Sequence, residues 1–311
     1  MKNNKKNIPV IKKGTRYWIV RAGIEHMFYN QFFYDNCIAV GWDRIDNIEI
    51  IKNISEIDKL KDIVKIKYPE LEKNRSKTSY NRKISDISKK IFRFINEIKE
   101  GDIIVTPGGD EVLIGQIVSK PYLVNCYNKE TTDSDLIGSL NKARKVNWLK
   151  RIKKSDLEPN LRLILGVYHG IAHINSLQVI TEINRSLYNF YISEDREHSI
   201  FRIIEEKEVD FKKYAYFINT TNNLYNILKT DNEKSNLSIK TNVQSPGPIE
   251  LIGDLGLVSS IVLGLKFFLK NDEDALNNMD EKDRNSIQEY KKNNPPEYEY
   301  DDYQFPSHGS Y

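Results

Sequence analysis

Residues 101–119 read GDIIVTPGGDEVLIGQIVS, and this stretch decides the fold of the first half of the chain. Two apolar runs, 102–106 and 111–118, flank the turn residues Pro-Gly-Gly-Asp, which is the pattern of a β-hairpin. Before the hairpin, residues 16–21 alternate between apolar and polar types, and residues 37–42 are apolar except for one glycine. Both segments are therefore predicted strands, the second of them buried on both faces.

Two helices are predicted between the second strand and the hairpin. The first covers residues 55–68, with Ser55 as its capping candidate and Pro69 as its stop. The second covers residues 82–99, whose apolar positions recur every three to four residues and so make one buried face. A further strand is predicted at residues 145–152. Short strands with an inserted helix pair predict a small, highly curved β-barrel.

The second half of the chain predicts a separate mixture of strands and helices, so the fold class of the whole chain is α+β. Strands are expected at residues 186–192, 200–204, 214–218 and 237–243, and an apolar helix ends near residue 269. The terminal segments are polar, and residues 271–311 carry 11 acidic against 4 basic residues, which is typical of disorder. The predicted plan is a disordered segment 1–13, a barrel domain 14–182, an α+β domain 183–270 and a disordered acidic tail 271–311.

Charge is unevenly distributed along the chain. The net charge is only +3, but residues 1–160 hold 31 Lys and Arg residues against 21 Asp and Glu residues. A basic half favours an anionic partner such as nucleic acid, although lysines also serve simply to solvate helices. The absence of an apolar leader at the start predicts a cytoplasmic protein.

Metal and disulfide chemistry find little support in the sequence. Cys37 and Cys126 do not suggest a disulfide scaffold, and two cysteines with five histidines make no zinc pattern. His169 and His173 lie four residues apart, a spacing that suits metal ligands on a helix. Because Gly170 follows the first of them and no third ligand is near, a structural role is favoured. No metal and no cofactor is predicted.

Four strings of the first half carry a resemblance to a known type of domain. They are the hairpin string of residues 101–119 and the strings TRYWIVRAG (15–23), CIAVGW (37–42) and RKVNWL (144–149). Together they resemble the domain that precedes the nuclease core in Mrr-type restriction-endonuclease-like proteins. That domain is similar to PUA and EVE barrels, which bind nucleic acid on a basic surface and in some cases accept a flipped, modified base. Over residues 14–182 the resemblance implies nucleic acid as the partner.

The resemblance and the residue types together predict a nucleic-acid-binding site. Trp18 and Trp42 would form or line a stacking pocket, although both could instead belong to the core. Arg21 stands at a strand end where a guanidinium can hold a phosphate or a base edge, and Thr106 stands near the hairpin tip. A basic cluster would grip phosphates, or else solvate a strand edge. Its members are Arg144, Lys145, Lys150, Arg151, Lys153 and Lys154.

The nuclease core of the Mrr-type proteins is not evident in the second half. The closest match to its metal-binding carboxylates and lysine is Asp195 with Glu205 and Lys207, so a divergent Mg²⁺-dependent restriction endonuclease is one alternative. Residues 251–269 are apolar except for two charges and suggest another, an effector that oligomerises or contacts a membrane. Their uncharged run of residues 255–265 is shorter than the roughly 20 residues that a bilayer requires.

The favoured hypothesis is a nucleic-acid-binding protein, and whether it has any catalytic activity stays open. It would sense modified or foreign DNA in a bacterial anti-phage or restriction-associated defence system. The α+β domain would contact a protein partner or another copy of the chain. DNA against RNA, and the base that is recognised, stay open at this point.

Overall fold

A computed structural model describes residues 8–73, 75–128, 139–166, 170–203, 210–229, 236–241, 248–298 and 303–306. The strands are, in chain order, β1 (Val10–Ile11), β2 (Tyr17–Val20), β3 (Cys37–Val40), β4 (Ile103–Pro107), β5 (Glu111–Ile117), β6 (Tyr122–Asn128), β7 (Ser139–Lys153), β8 (Ile171–Ile174), β9 (Phe190–Ser193), β10 (Arg196–Ile203), β11 (Leu237–Thr241), β12 (Pro248–Asp254) and β13 (Tyr303–Gln304). The α-helices are α1 (Tyr29–Tyr34), α2 (Ile48–Lys52), α3 (Ile57–Lys67), α4 (Lys77–Phe92), α5 (Pro159–Ile164), α6 (Leu177–Leu187), α7 (Phe211–Leu228), α8 (Leu257–Lys270), α9 (Glu273–Asn277) and α10 (Glu281–Asn293). The chain is α+β, as expected, and divides into two compact units, residues 14–187 and residues 1–13 with 188–311.

The unit of residues 14–187 is built on one curved sheet. Its strand order is β3-β7-β5-β4-β2-β8, with β6 also paired to β7. The predicted hairpin is confirmed as the antiparallel pair β4–β5, and β2 runs parallel to β4. The register of β5 against β7 shifts between Ile114 and Gly115, and such a bulge bends the bulged strand. The sheet curls into a half-barrel, which confirms the predicted small curved β-architecture in this unit.

Helices α3 and α4 share one core with this sheet, and both begin at residues other than those predicted. Helix α4 starts five residues earlier than predicted, because the Ser76 side chain accepts a hydrogen bond from the Ser79 amide. Its face of Ile84, Ile87 and Ile91 is buried in the core, as the spacing predicted. Helix α3 begins after Glu56, so the expected cap at residue 55 is wrong, and no side chain caps that end.

The second unit holds a sheet of order β1-β9-β10-β12-β11, with β13 paired to β10. Strand β1 pairs in parallel with β9, although residues 1–13 were expected to be disordered. The strand predicted at residues 214–218 is also wrong, because these residues lie inside α7. The Asp210 side chain accepts a hydrogen bond from the Lys213 amide and so begins that helix. Phe217 and Leu224 then share its buried face.

The tail of residues 271–311 also differs from the predicted disorder, because it contains α9, α10 and β13. Asp272 and Asp280 cap the two helices with their side chains. Five side chains of the tail are buried in one core with α8, and they are Ala275, Leu276, Met279, Ile287 and Tyr303. Helix α8 supplies nine of the buried residues of that core, which accounts for its apolar sequence. Within the described ranges, no helix is both long enough and apolar enough to cross a membrane.

Candidate nucleic-acid interface

Trp18 belongs to the core and offers no stacking face. It lies on β2 and is 2% exposed, and its indole Nε1 donates a hydrogen bond to Oδ2 of Asp102 at 2.9 Å. Its ring is tilted against that of His173, with the centroids 4.6 Å apart. The hydrogen bond therefore holds the polar edge of the indole, and the faces of the ring are covered. Trp18 is a core residue, which was the alternative to a stacking role.

Trp42 and Trp148 are held at other places in the same unit. Trp42 follows β3 with a left-handed φ of 62°, and the ammonium of Lys90 lies 5.5 Å from its ring centroid. Trp148 packs partly buried against the core, and its Nε1 donates to the carbonyl of Phe32 at 2.9 Å. Neither tryptophan lines the cavity described below, so the structure does not bring the tryptophans together in one pocket.

Arg144 is a structural residue and not a phosphate contact, which corrects the predicted cluster. It is 2% exposed, and its guanidinium donates to the carbonyls of Phe94, Ile95 and Ser119 at 2.8, 3.1 and 3.0 Å. Burial lowers its pKa to about 10. Lys142, two residues earlier on β7, is also buried, and its Nζ donates to two backbone carbonyls and one side-chain amide. Sequence analysis missed this second buried cation.

The other members of the predicted cluster lie at the surface towards the end of β7. Lys145, Lys150, Arg151 and Lys153 are exposed, and Lys154 is half-buried. The Arg151 Nε donates to Oε2 of Glu111 at 2.6 Å, and the Lys154 Nζ donates to the carbonyl of Gly108 at 2.8 Å. The basic end of β7 is thereby fastened to the turn of the β4–β5 hairpin.

A cavity of about 740 Å³, the hairpin cavity, opens beside this turn. Its volume falls within the range of about 300–1,000 Å³ that is usual for ligand sites. Three chain segments form its wall. The lining residues are Glu25, His26, Tyr29, Asn30, Gly109, Asp110, Glu111, Arg151, Lys153, Lys154 and Ser155.

The segment that enters the cavity from β2 has a strained backbone. Glu25 and His26 have φ values of 47° and 61°, in the left-handed region that non-glycine residues seldom adopt. Gly23, with φ +80°, admits the ring of Phe28 so closely that an added Cβ would lie 2.7 Å from it. Strain of about 1–3 kcal/mol for each such residue persists only where the surroundings fix it, and it is frequent at binding sites.

A buried polar atom without a hydrogen-bond partner lies in the same wall, and another lies on β4. Among the described residues, Nδ1 of His26 and Oγ1 of Thr106 are buried and accept or donate no hydrogen bond. Strand alternation places Thr106 on the same face as Gly108, where the ring of Tyr29 would lie 2.7 Å from an added Cβ. A buried polar group without a partner costs about 1–3 kcal/mol. Such groups are rare in native structures and call for a functional or structural explanation.

Burial and nearby charges shift the pKa values of His26 and Tyr29 in the cavity wall. Burial lowers the pKa of His26, the charges of Lys154 and Arg21 lower it further, and the backbone of Pro107 opposes them. These effects favour the neutral form of the His26 imidazole over its charged form. Burial also raises the pKa of the Tyr29 hydroxyl to about 12, against the nearby Arg151 guanidinium.

Arg21 lies next to the cavity without lining it. Its Nη2 donates to the carbonyl of Leu165 at 2.5 Å, and its backbone amide donates to the carbonyl of Gly170 at 2.9 Å. Its positive charge lowers the pKa of His26, which lines the cavity. The predicted residues that meet at the hairpin cavity are thus Arg151, Lys153 and Lys154, whereas His26 and Tyr29 were not predicted.

The residues of the nuclease alternative are only partly described. Asp195 lies in the turn between β9 and β10, with a left-handed φ of 60°. Glu205 and Lys207 lie outside the described residues, as does His169. Within the part of the chain that the structure describes, no group of three or more His, Cys, Asp or Glu residues could hold a metal ion.

Comparison with known families bears on the first unit alone. Residues 18–162 match the model of a domain of unknown function, DUF8426. The matched range runs from β2 into α5 and includes every residue that lines the hairpin cavity. No curated protein matches the chain.

Proposed function

We propose that residues 14–187 bind nucleic acid, with DNA as the partner, through the hairpin cavity and the exposed cations of β7. The observation that carries the proposal is the placement of Arg151, Lys153 and Lys154 at the rim of a strained cavity that contains unpartnered polar atoms. The resemblance of the sequence to PUA- and EVE-like reader domains supports it. The protein would act in the cytoplasm as a sensor of modified or foreign DNA in a bacterial antiviral, restriction-associated system.

Exposed lysines on β7 suit the phosphate backbone. Lys145, Lys150 and Lys153 are all exposed on this strand. Each phosphate that a cation neutralises contributes about −0.9 to the slope of log affinity against log salt for duplex DNA. Three such contacts would therefore give a slope of about −3, which a binding titration can measure.

The cavity itself suits a base as well as an anionic oxygen, because it offers both hydrogen-bond donors and acceptors. Glu25 and Asp110 supply carboxylate acceptors, while Arg151 and Lys154 supply donors. An enzyme or reader that recognises one base extrudes it into a fitted pocket and holds its edge by hydrogen bonds. A cavity of about 740 Å³ has room for one such nucleotide.

Binding of the full chain to labelled plain and base-modified duplex DNA tests the proposal. Titrations at several salt concentrations with Mg²⁺ present would give the salt slope, and a denaturing gel would detect cleavage. Lys153→Gln should weaken binding to all duplexes and reduce the slope by about one. The matched control is Lys240→Gln on β11 of the other unit, where the lysine is also exposed and the slope should not change.

A second pair of variants tests the cavity separately from the phosphate contacts. In Gly108→Ala the new methyl group would collide with the Tyr29 ring at 2.7 Å and displace it, whereas an added Cβ at Gly109 meets no atom within 4 Å. We expect Gly108→Ala to abolish any preference for a modified base and to retain the salt slope, and Gly109→Ala to keep both. Absence of salt-dependent binding, or Mg²⁺-dependent cleavage, would contradict the proposal.

A further inference from the structure

His26 is placed to sense a ligand in the hairpin cavity. Its imidazole lines the cavity, and its Nδ1 is buried with no hydrogen-bond partner among the described residues. His26 lies in the turn of left-handed residues that follows Gly23. The backbone of Pro107 provides one hydrogen-bond partner for its ring, so Nδ1 is the ring nitrogen that a ligand in the cavity could engage.

Cations dominate the immediate surroundings of this imidazole. Lys154, which follows β7, and Arg21, which follows β2, both act on it, and the backbone of Pro107 on the β4 side faces it as well. The remaining charged groups of the cavity wall are Glu25, Asp110, Glu111, Arg151 and Lys153. Of these, Arg151 and Glu111 form an ion pair with each other.

We propose that His26 takes up a proton when an anionic oxygen of a bound nucleotide enters the hairpin cavity, so that binding tightens as the pH falls. This inference rests on the proposed function and adds a regulation of the same site. The imidazolium would donate a charge-assisted hydrogen bond to the anionic oxygen. Lys154, which lines the cavity and opposes protonation in the free protein, would then share the anion with it.

The direction of the pH effect follows from proton linkage. An anion close to His26 favours the charged imidazole and raises its pKa above that of the free protein. Binding therefore takes up a proton in the interval between the two pKa values, and the affinity rises as the pH falls through that interval. One proton limits the change to about tenfold per pH unit. Below the pKa of the free protein the affinity becomes independent of pH again.

Other described histidines do not compete for this role. His173 is exposed on β8 and packs against Trp18, and His198 donates to or accepts from Glu250 in the other unit. Neither lines the hairpin cavity. His173 belongs to the same unit and its pKa is also lowered, chiefly by burial, so it provides a matched control.

Fluorescence anisotropy with labelled duplex DNA between pH 5.5 and 8.0, at constant ionic strength, provides the first measurement. For the wild-type chain we expect the affinity to rise about fivefold per pH unit over part of this range, within the limit for one proton. His26→Asn keeps a residue that tolerates the left-handed backbone, and it should flatten the profile. His173→Asn should keep the wild-type slope, and equal flattening in both variants would contradict the inference.

A proton NMR titration of the histidine ring resonances provides a measurement on the wild-type chain itself. The pKa of His26 should rise when a short oligonucleotide is added, and inorganic phosphate shows whether an anion alone suffices. An unchanged His26 pKa at saturating DNA would overturn this inference while leaving the proposed function intact. No DNA binding at any pH would instead overturn the proposed function and the inference with it.

Discussion

Replacement of Arg144 by methionine should destabilise the protein without acting on nucleic acid directly. Methionine preserves the packing of the apolar stem but leaves the carbonyls of Phe94, Ile95 and Ser119 without their donor. Two of these carbonyls belong to the turns that follow α4, where helix-end acceptors require partners from elsewhere.

The magnitude follows from the number and kind of these bonds. A hydrogen bond from a charged donor contributes about 1.5–3 kcal/mol to stability. The substitution also removes the cost of burying the guanidinium charge, and this gain offsets part of the loss. We therefore expect the free energy of unfolding to fall by about 3–5 kcal/mol. For a unit of this size the midpoint temperature would drop by roughly 2–4 °C per kcal/mol, or about 6–20 °C in all.

Urea unfolding followed by tryptophan fluorescence measures this loss in the appropriate unit. The three tryptophans of the chain all lie within residues 14–187, so the signal reports that unit alone. Lys145→Met changes the adjacent, exposed cation and should shift the unfolding free energy by less than about 0.5 kcal/mol. The reasoning would be refuted if Arg144→Met unfolded like the wild type yet bound DNA more weakly.

Three further changes probe the same unit. Lys142→Met removes three hydrogen bonds that a fully buried ammonium donates. The free energy of unfolding in the same urea titration should fall by about 2–5 kcal/mol. A fall of less than about 1 kcal/mol would contradict the structural role of Lys142. Gly115→Ala places a methyl group 2.6 Å from Val146 at the β-bulge and should cost about 1–3 kcal/mol, measured as a lower midpoint temperature in calorimetry. In the folded state the pKa values of His26 and His173 are lowered below 6.5. The unfolded chain therefore binds more protons than the folded chain, and stability should be lost as the pH falls below about 6.5. Urea titrations at pH 7.5 and 5.5 would show this, and substitution of both histidines by asparagine should reduce the difference.

The hairpin and the helix faces could be predicted because local sequence decides them. The turn at residues 107–110 fixes the pairing of β4 with β5, and the spacing of isoleucines fixes the buried face of α4. Long-range consequences were not accessible in this way. The burial of Arg144 depends on carbonyls about 25 to 50 residues away, and a count of charges along β7 does not reveal which of them point inward.

The errors in the second unit have a common physical origin. Residues 214–218 are rich in aromatic side chains, a composition that suits a strand, but the Asp210 cap and the continued apolar face to Leu228 decide for a helix. The acidic composition of the tail predicts disorder, yet five buried side chains suffice where α8 already presents an apolar surface. Composition indicates whether a segment can form a hydrophobic core by itself. It does not indicate whether the segment can pack into a core that other elements have formed.

The hairpin cavity could be predicted only in part. The basic residues after β7 stand out in the sequence, and they do reach its rim. His26 and Tyr29 carry no such signal beyond Gly23, whose position after a strand indicates an unusual backbone. His26 and Tyr29 line the cavity because of the left-handed turn before them and because the hairpin lies close to that turn. The cavity thus combines residues that are about 80 and 125 positions apart in the chain.

The pairing of β1 with β9 has a consequence for how the chain can be divided. Residues 14–187 form an insertion within the other unit, because the chain begins in that unit, leaves it after residue 13 and returns at residue 188. The inserted unit is one continuous piece and can be excised as such. A fragment that starts at residue 188 would lack β1 and leave the backbone groups of β9 open along one edge, where another chain can pair with them. A faithful dissection of this protein would instead join residue 13 to residue 188 with a short linker.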